Sequence, residues 1–369
     1  MRLYHHLHRA TVLLLAGSLL LGGCLPPAQP RVIKIALVAP FEGRDRAIGY
    51  DAIYGARLAV QEFNAAGGIQ LELVSYDDRG EVELAQTLAR DVSADPEVMA
   101  VIGNFRPATT EAAAPIYAEA GVALVSVGGG AVAGGATTRV LAPQPAILAR
   151  EIVTRAATGG RTTLAIWGQG AMAESLRAAV TEAGLFIGTA STPAQGMPLP
   201  EGILNTRPAL EAGEDLSLWR NAGWNGVLVG GPELADAAFG TAAGASAEWT
   251  CFVTPYPFPQ DLAGLEGWIA DYKAMGPHVP EPGPYALPAY MAVKALGEAV
   301  KAADGGDREA VANALGQVRF DGPTGTLSWD TAGFWSGAPL YYYCWEQGKP
   351  RLRTILSWSP DQDEVYPVG

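Results

Sequence analysis

The residues best placed to do chemistry in this chain are binding groups rather than catalytic ones. Asn104, Arg106, Thr109 and Thr110 lie in the run Gly103-Asn104-Phe105-Arg106-Pro107-Ala108-Thr109-Thr110, which follows a predicted strand and opens a predicted helix. Free N–H groups of a helix start, two hydroxyls and a guanidinium together make a cradle for a carboxylate. Ser126 and Gly128-Gly129-Gly130 follow the next predicted strand. Bare backbone there lets a ligand approach closely, although a tight turn is the plainer use of the same glycines. Trp167 and Gln169 end another strand, and Gly230-Gly231-Pro232-Glu233 ends a further one on a carboxylate.

Catalytic sets are poorly represented. The histidines are His5, His6, His8 and His278, three of them in an N-terminal stretch that reads as a removable signal. That leaves no His-based acid/base pair and no metal site. Neither a Gly-x-Ser-x-Gly elbow nor a Walker-type loop occurs. Adjacent strand residues point to opposite faces, so Asp77-Asp78 is more simply a solvated loop start than an acid/base pair. Gly168-Gln169-Gly170-Ala171-Met172-Ala173 imitates a dinucleotide-binding turn, but the next strand, LFIGTAS, lacks the acid that would grip a ribose. No cofactor is therefore expected. The formal charge of −13 and the absence of a basic tract argue against nucleic-acid partners. Arg44, Arg46 and Tyr50 in and after the first loop could also reach the cleft, although surface exposure is the simpler reading of the arginines, and core packing is that of the nine tryptophans and Tyr341-Tyr342-Tyr343.

An α/β framework has to hold these groups. Strand and helix signals alternate from residue 31 onward, which predicts parallel sheets covered by helices. Strands are expected near 32–39, 70–76, 99–102 and 122–126, with helices near 51–65, 82–93 and 109–120. In the helix at 82–93, Val82, Leu84, Ala85, Leu88, Ala89 and Val92 share one face. A second block has strands near 162–167, 185–190, 202–205, 226–230 and 249–253, and helices near 146–157, 173–183 and 211–222. Helices near 260–275, 285–302 and 307–317 precede a strand-rich end. The candidate binding residues fall beyond the carboxyl ends of strands, where open α/β sheets bind ligands.

The first residues read as an export signal: Arg2 and Arg9, then an apolar run from Val12 to Leu21 too short for a tilted membrane span. Leu21-Gly22-Gly23-Cys24 resembles the lipobox of bacterial lipoproteins, in which the cysteine sulfur takes a diacylglycerol. A chance cysteine behind an ordinary secretory signal is the alternative. On the lipoprotein reading, residues 1–23 are removed, 24–30 form a tether, and Cys24 anchors the chain to a membrane it does not span. Cys251 and Cys344 then remain, both in predicted strands. Export permits a disulfide between them, and two separate buried thiols fit the sequence equally well.

The segment from Ile33 to Asp78, above all its helix end Asn64-Ala65-Ala66-Gly67-Gly68-Ile69, resembles the extracytoplasmic solute-binding proteins of branched-chain amino acid ABC transporters. The runs GPYALPAYMAVKAL (283–296) and Gly325-Thr326-Leu327-Ser328-Trp329-Asp330 extend the likeness along the chain. The resemblance implies a type I periplasmic binding fold: two doubly wound parallel-sheet lobes joined by three hinge crossovers. Lobe one would be 31–142 plus 256–328, and lobe two 143–255 plus 329–369. It implies a monomeric, non-enzymatic receptor that binds a small polar solute between the lobes and delivers it to a membrane permease. A sensor subunit for a membrane receptor and an exported α/β enzyme are the alternatives.

In amino-acid-binding members of that family, a lobe-one Ser and helix N–H groups hold the carboxylate. A carbonyl, a Thr and a lobe-two Glu hold the ammonium. Here the Glu matches Glu233 and the carbonyl Gly128, while the Ser falls on Pro107 and the Thr on Gly130. Family aromatics that cover the ligand fall near Pro208 and Met172, so Trp167 is the candidate to replace them. The loop from Thr189 to Glu201 stands where the family usually carries a helix.

Overall fold

Strand β1 (Val32–Ala39) is apolar at nearly every position because both of its faces are covered. The computed structural model describes residues 31–129, 135–188 and 199–356. Cys24, the signal and tether segments, and Gly130 lie outside the described residues. β1 pairs with β2 (Gln70–Asp77) and β3 (Val98–Gly103), and β4 (Ala123–Ser126) and β5 (Thr138–Val140) complete an all-parallel sheet of order β2-β1-β3-β4-β5. Ile33, Ile35 and Leu37 face helix α1 (Arg46–Ala65) and the later helix α9 (Ala286–Ala302) in one core. Ala36 and Val38 face α2 (Val82–Ala94) and α3 (Pro107–Glu119) in another. This alternation of one strand between two cores is what a doubly wound sheet requires.

The conserved-looking wording of the first unit has a local cause. Asn64, the penultimate residue of α1, donates from Nδ2 to Leu71 O at 2.9 Å and accepts from Leu71 N at Oδ1 at 2.8 Å. Its amide thereby ties the helix end to β2. The GPY run has a similar role. Asp51 of α1 accepts from Gly283 N through Oδ1 and from Tyr285 N through Oδ2, both at 2.7 Å, and so docks the start of α9 onto α1.

The second lobe is built on a seven-stranded sheet of order β14-β13-β10-β9-β8-β6-β7. Its parallel part comprises β6 (Thr163–Trp167), β7 (Phe186–Gly188), β8 (Gly202–Asn205), β9 (Val227–Gly230) and β10 (Cys251–Thr254). Helices α4 (Pro145–Ala157) and α5 (Ala171–Glu182) cover one face. The opposite face is covered by α6 (Ala209–Asn221) and α7 (Ala237–Ala243), the latter a short helix that the sequence reading missed. The antiparallel strands β13 (Leu340–Glu346) and β14 (Lys349–Leu356) extend the sheet. Tyr341 and Tyr343 pack into one core and Tyr342 against the other, so the tyrosine run is strand packing. Cys251 and Cys344 stand directly opposite in the β10–β13 register and form a disulfide. β7, the edge strand, exposes Phe186 and Ile187.

The chain passes between the lobes three times: after β5, after β10 and before β13. The third passage departs from the expected boundary at 328/329. Phe334, Trp335 and Ala338 belong to the first-lobe core, and Val140 bridges Phe334 in parallel. Trp335 N donates to Val140 O and Ala142 O at 3.0 Å, which holds residues 329–338 beside the first crossing instead of in lobe two. The hairpin β11 (Phe320–Gly322) and β12 (Gly325–Leu327) precedes this segment. Between β10 and α9 lies helix α8 (Glu266–Lys273), shorter than expected because Pro259–Asp261 forms a separate 3-10 turn. Helix α10 (Arg308–Leu315) starts on Asp307, whose Oδ1 accepts from Ala310 N. Among the described residues no helix is long and apolar enough to cross a membrane.

Candidate functional site

The loops at the carboxyl ends of β3 and β4 form one tightly bonded unit. Gly128 N donates to Asn104 O at 3.0 Å. A Cβ on Gly128 would lie 2.6 Å from Phe105 C and 2.7 Å from Arg106 N, so glycine is required by the neighbouring loop. The bare backbone at this position serves packing within the lobe. Asn104 Nδ2 donates to Asp78 Oδ2 at 2.8 Å. Thr109 Oγ1 donates to Arg106 O at 3.1 Å, and Thr110 Oγ1 reaches both Asn104 O and Arg106 O at 2.9 Å. Asn104, Thr109, Thr110 and Ser126 are fully buried. The Thr109 and Thr110 hydroxyls are thus committed within the lobe, while the Ser126 hydroxyl and Asn104 Oδ1 have no partner among the described residues.

Arg106, the residue just before α3, does face the cleft. Its Nη1 lies 2.8 Å from Oδ2 of Asp45, in the loop after β1, and both side chains are largely buried. The guanidinium is also near enough to Glu233, Asp236 and Asp78 to favour their ionised forms. Glu233 follows β9 in a short 3-10 turn (Pro232–Ala235). Glu233 Oε1 accepts from Gly231 N at 3.0 Å and from Asn205 Nδ2 at 3.2 Å. Desolvation raises the Glu233 carboxyl to about 6, against the lowering pull of those hydrogen bonds. Burial likewise pushes up Asp236, which caps α7 by accepting from Ala238 N at 2.8 Å.

Two further sequence candidates are resolved differently. Trp167 is buried, its ring set edge-on at 5.5 Å from Trp219, which in turn packs on Trp224. It is a core residue and does not cover a ligand. Gln169 is exposed in the turn between β6 and α5, and Gly129 lies in the turn after β4. No group of three or more His, Cys, Asp or Glu residues arranged for a metal occurs among the described residues.

A cavity of about 450 Å³ opens beside this constellation. It is lined from lobe one by Ile48, Asp51 and Tyr285, and from lobe two by Asp236 and Trp345. Tyr50, singled out from the sequence, lines it, as does the start of the GPYALPAYMAVKAL run, whereas the candidate ligand-binding residues do not. Asp51, Asp236 and Tyr285 were missed, as were Asp45 and Asn205. Asn205 could have been found, since it ends a buried strand at the binding edge of the sheet. Asp236 announced itself only as a helix cap. The Asp51 carboxyl, buried under α9 and desolvated, is pushed up to about 7.

A family model described as periplasmic binding protein matches residues 32–197 and 216–349, most of both lobes. The chain belongs to the periplasmic binding protein family. A leucine-, isoleucine-, valine-, threonine- and alanine-binding protein of Pseudomonas aeruginosa is 26% identical to this periplasmic binding protein over 356 residues, 86% of this chain and 91% of its own. The crystal structure of a leucine-binding protein from Thermotoga maritima superposes with a TM-score of 0.77 at 20% identity, covering 89% of this chain and 99% of that one. A solute-binding protein of an ABC transporter from R. palustris, in complex with 4-hydroxybenzoate, gives 0.75 at 16% identity, covering 90% and 98%. These likenesses establish the type I periplasmic binding fold, with two α/β lobes. The family is one of binding proteins and not of enzymes, in keeping with the poverty of catalytic sets in the sequence.

Proposed function

We propose that this periplasmic binding protein is the lipid-anchored receptor of an ABC importer, binding an amino acid or related small polar solute between its lobes. The observation that supports this most directly is the cavity lined by Asp51 and Tyr285 from lobe one and by Asp236 and Trp345 from lobe two. A solute seated there touches both lobes, and only a ligand with such differential contacts can favour the closed arrangement. The Pseudomonas relative, matched over nearly its whole length, is by name an amino-acid-binding protein. The hinges are assigned to the passages after β5, after β10 and before β13, and Cys24 to the anchor. A permease would read the closed surface.

The test is a solute screen by thermal shift, since a ligand that binds only the folded state raises its melting temperature. Hits would then be followed by small-angle scattering. A ligand that contracts the molecule, and whose affinity drops tenfold or more in Glu233→Ala, supports the reading. An affinity unchanged in Glu233→Ala refutes the site. For the anchor, Cys24→Ser should release the protein from the membrane fraction.

A further inference from the structure

The interlobe cavity stands apart from the loops in which the sequence places its ligand donors, and its lining is of another kind. Lobe one contributes Ile48 and Tyr50 from the first turns of α1, and Tyr285 just ahead of α9. Phe258 comes from the passage after β10, and Trp345 from β13 of lobe two. In all, four aromatic residues and three prolines line a volume of about 450 Å³. Cavities of roughly 300–1,000 Å³ with predominantly apolar linings bury ligands of drug size. This one therefore suits a hydrophobic body larger than a free aliphatic amino acid.

A second and independent observation concerns charge. The charged residues of the lining are Asp51, Asp236, Glu281 and Lys349. The three acids are engaged within the protein. Asp51 accepts from Gly283 N and Tyr285 N at 2.7 Å and from Tyr272 Oη at 3.4 Å. Asp236 accepts from Ala238 N as the cap of α7, and Glu281 is ion-paired with Lys273. Burial raises the Asp51 carboxyl to about 7 and raises Asp236 as well, which weakens their negative charge near neutral pH. Lys349, the first residue of β14, has no ion-pair partner among the described residues. The acid opposite it in the hairpin, Glu346, is paired with Arg353.

We infer that this cavity seats an arylalkyl carboxylate longer than a free amino acid, and that Lys349 on the β13–β14 turn determines specificity by holding its charged end. The inference rests on the interlobe receptor reading above and names the ligand class. The aromatic body gains by leaving water for a lining of rings and prolines. The carboxylate gains a charge-assisted hydrogen bond from the Lys349 ammonium. An amine of the same shape would meet Lys349 with like charge, and a short carboxylate would leave the apolar lining uncovered.

The experiment is titration calorimetry of the full chain at neutral pH with 4-phenylbutanoate, 4-phenylbutylamine and butanoate. The first should bind tenfold or more tighter than either of the others. Lys349→Met should weaken 4-phenylbutanoate about fivefold or more, as loss of a partly exposed ion pair does, and Lys349→Arg should hold it within threefold. Ala237, at the start of α7, is exposed and lines the cavity. Ala237→Trp should therefore fill the cavity and cost tenfold or more in affinity. Melting temperatures of the unliganded variants should hold, since both positions are exposed. The inference is overturned if 4-phenylbutanoate does not bind, if the amine or butanoate equals it, or if Lys349→Met or Ala237→Trp leaves its affinity unchanged. Should it fail while leucine contracts the molecule in small-angle scattering, the receptor reading stands and this inference falls. Failure of every solute to contract the molecule would remove both.

Discussion

The carboxyl-edge loops of the two lobes differ in how far their polar groups are already committed. In lobe one, Asn104, Thr109, Thr110 and Gly128 bond to one another and to Asp78, and among the described residues Asn104 Oδ1 and the Ser126 hydroxyl are left without a partner. In lobe two, Glu233, Asp236 and Asn205 carry desolvated or unmatched oxygens. A satisfied polar network is rigid, and an unsatisfied one is where binding energy can still be gained. The difference is one of degree: most lobe-one side chains are tied within their own lobe, and both lobes keep a buried polar atom unmatched.

Among substitutions, the largest effect should come from disturbing the lobe-one wall. A Cβ at Gly103 would lie 2.3 Å from Val38 O, and the residue's φ of +138° disfavours any side chain. Gly103→Ala should therefore lower stability by about 3 kcal/mol or more, measured by chemical denaturation. A milder loss would mean that the lobe-one wall yields, against the rigidity ascribed to it. Next comes the disulfide that joins β10 to the antiparallel extension of lobe two. Replacing Cys251 and Cys344 together by Ser should cost about 2–4 kcal/mol. If the variant keeps its ligand affinity, the binding wall of lobe two is independent of that extension.

A pH series separates the walls again. Asp51 of α1 is raised from 3.8 to about 7 and Glu233 from 4.5 to about 6, both chiefly by desolvation. A carboxyl with a raised folded pKa holds its proton more tightly in the native state. Stability of the unliganded protein should thus be highest below about pH 4 with respect to these two groups, and fall as pH rises toward 6 and 7. The expected fall is on the order of 6 kcal/mol for the two groups together, about 2 kcal/mol of it from Glu233, followed by calorimetry. Glu233→Gln should flatten the part of the slope below pH 6. If it does not, the slope belongs to Asp51, which is faced by Tyr272 Oη and by the N–H groups of Gly283 and Tyr285. The smallest effect is expected from Thr109→Val. Loss of one partly redundant hydroxyl bond should cost about 1 kcal/mol and leave ligand affinity within twofold. A tenfold loss of affinity would place Thr109 on the ligand and erase the contrast between the walls.

Much of the framework was legible because its signals are local. The apolar runs of β1 and β3, the helical period at 82–93 and the Asn64-to-Ile69 helix end each report a structure formed by near neighbours in the chain. The elements they predict match the described ones within a few residues. The short helix α7 escaped because Pro232 to Ala247 mixes two 3-10 turns with seven helical residues. Residues 329–338 escaped because their place is set by a bridge to Val140, distant in sequence.

The site was legible only as an address. That residues after β3, β4 and β9 lie at the carboxyl edges of their sheets follows from strand order, which the sequence determined. What each of them does there depends on distances between segments far apart in the chain. Asp45 takes an arm of Arg106, Trp219 buries Trp167, and Asp78 takes Asn104. Cys251 meets Cys344 because two strands 93 residues apart share a register. A hydrogen-bond donor listed by residue type carries no sign of whether a neighbour has already claimed it. Only the tertiary structure decides that, because the claim is made across space within about 3 Å.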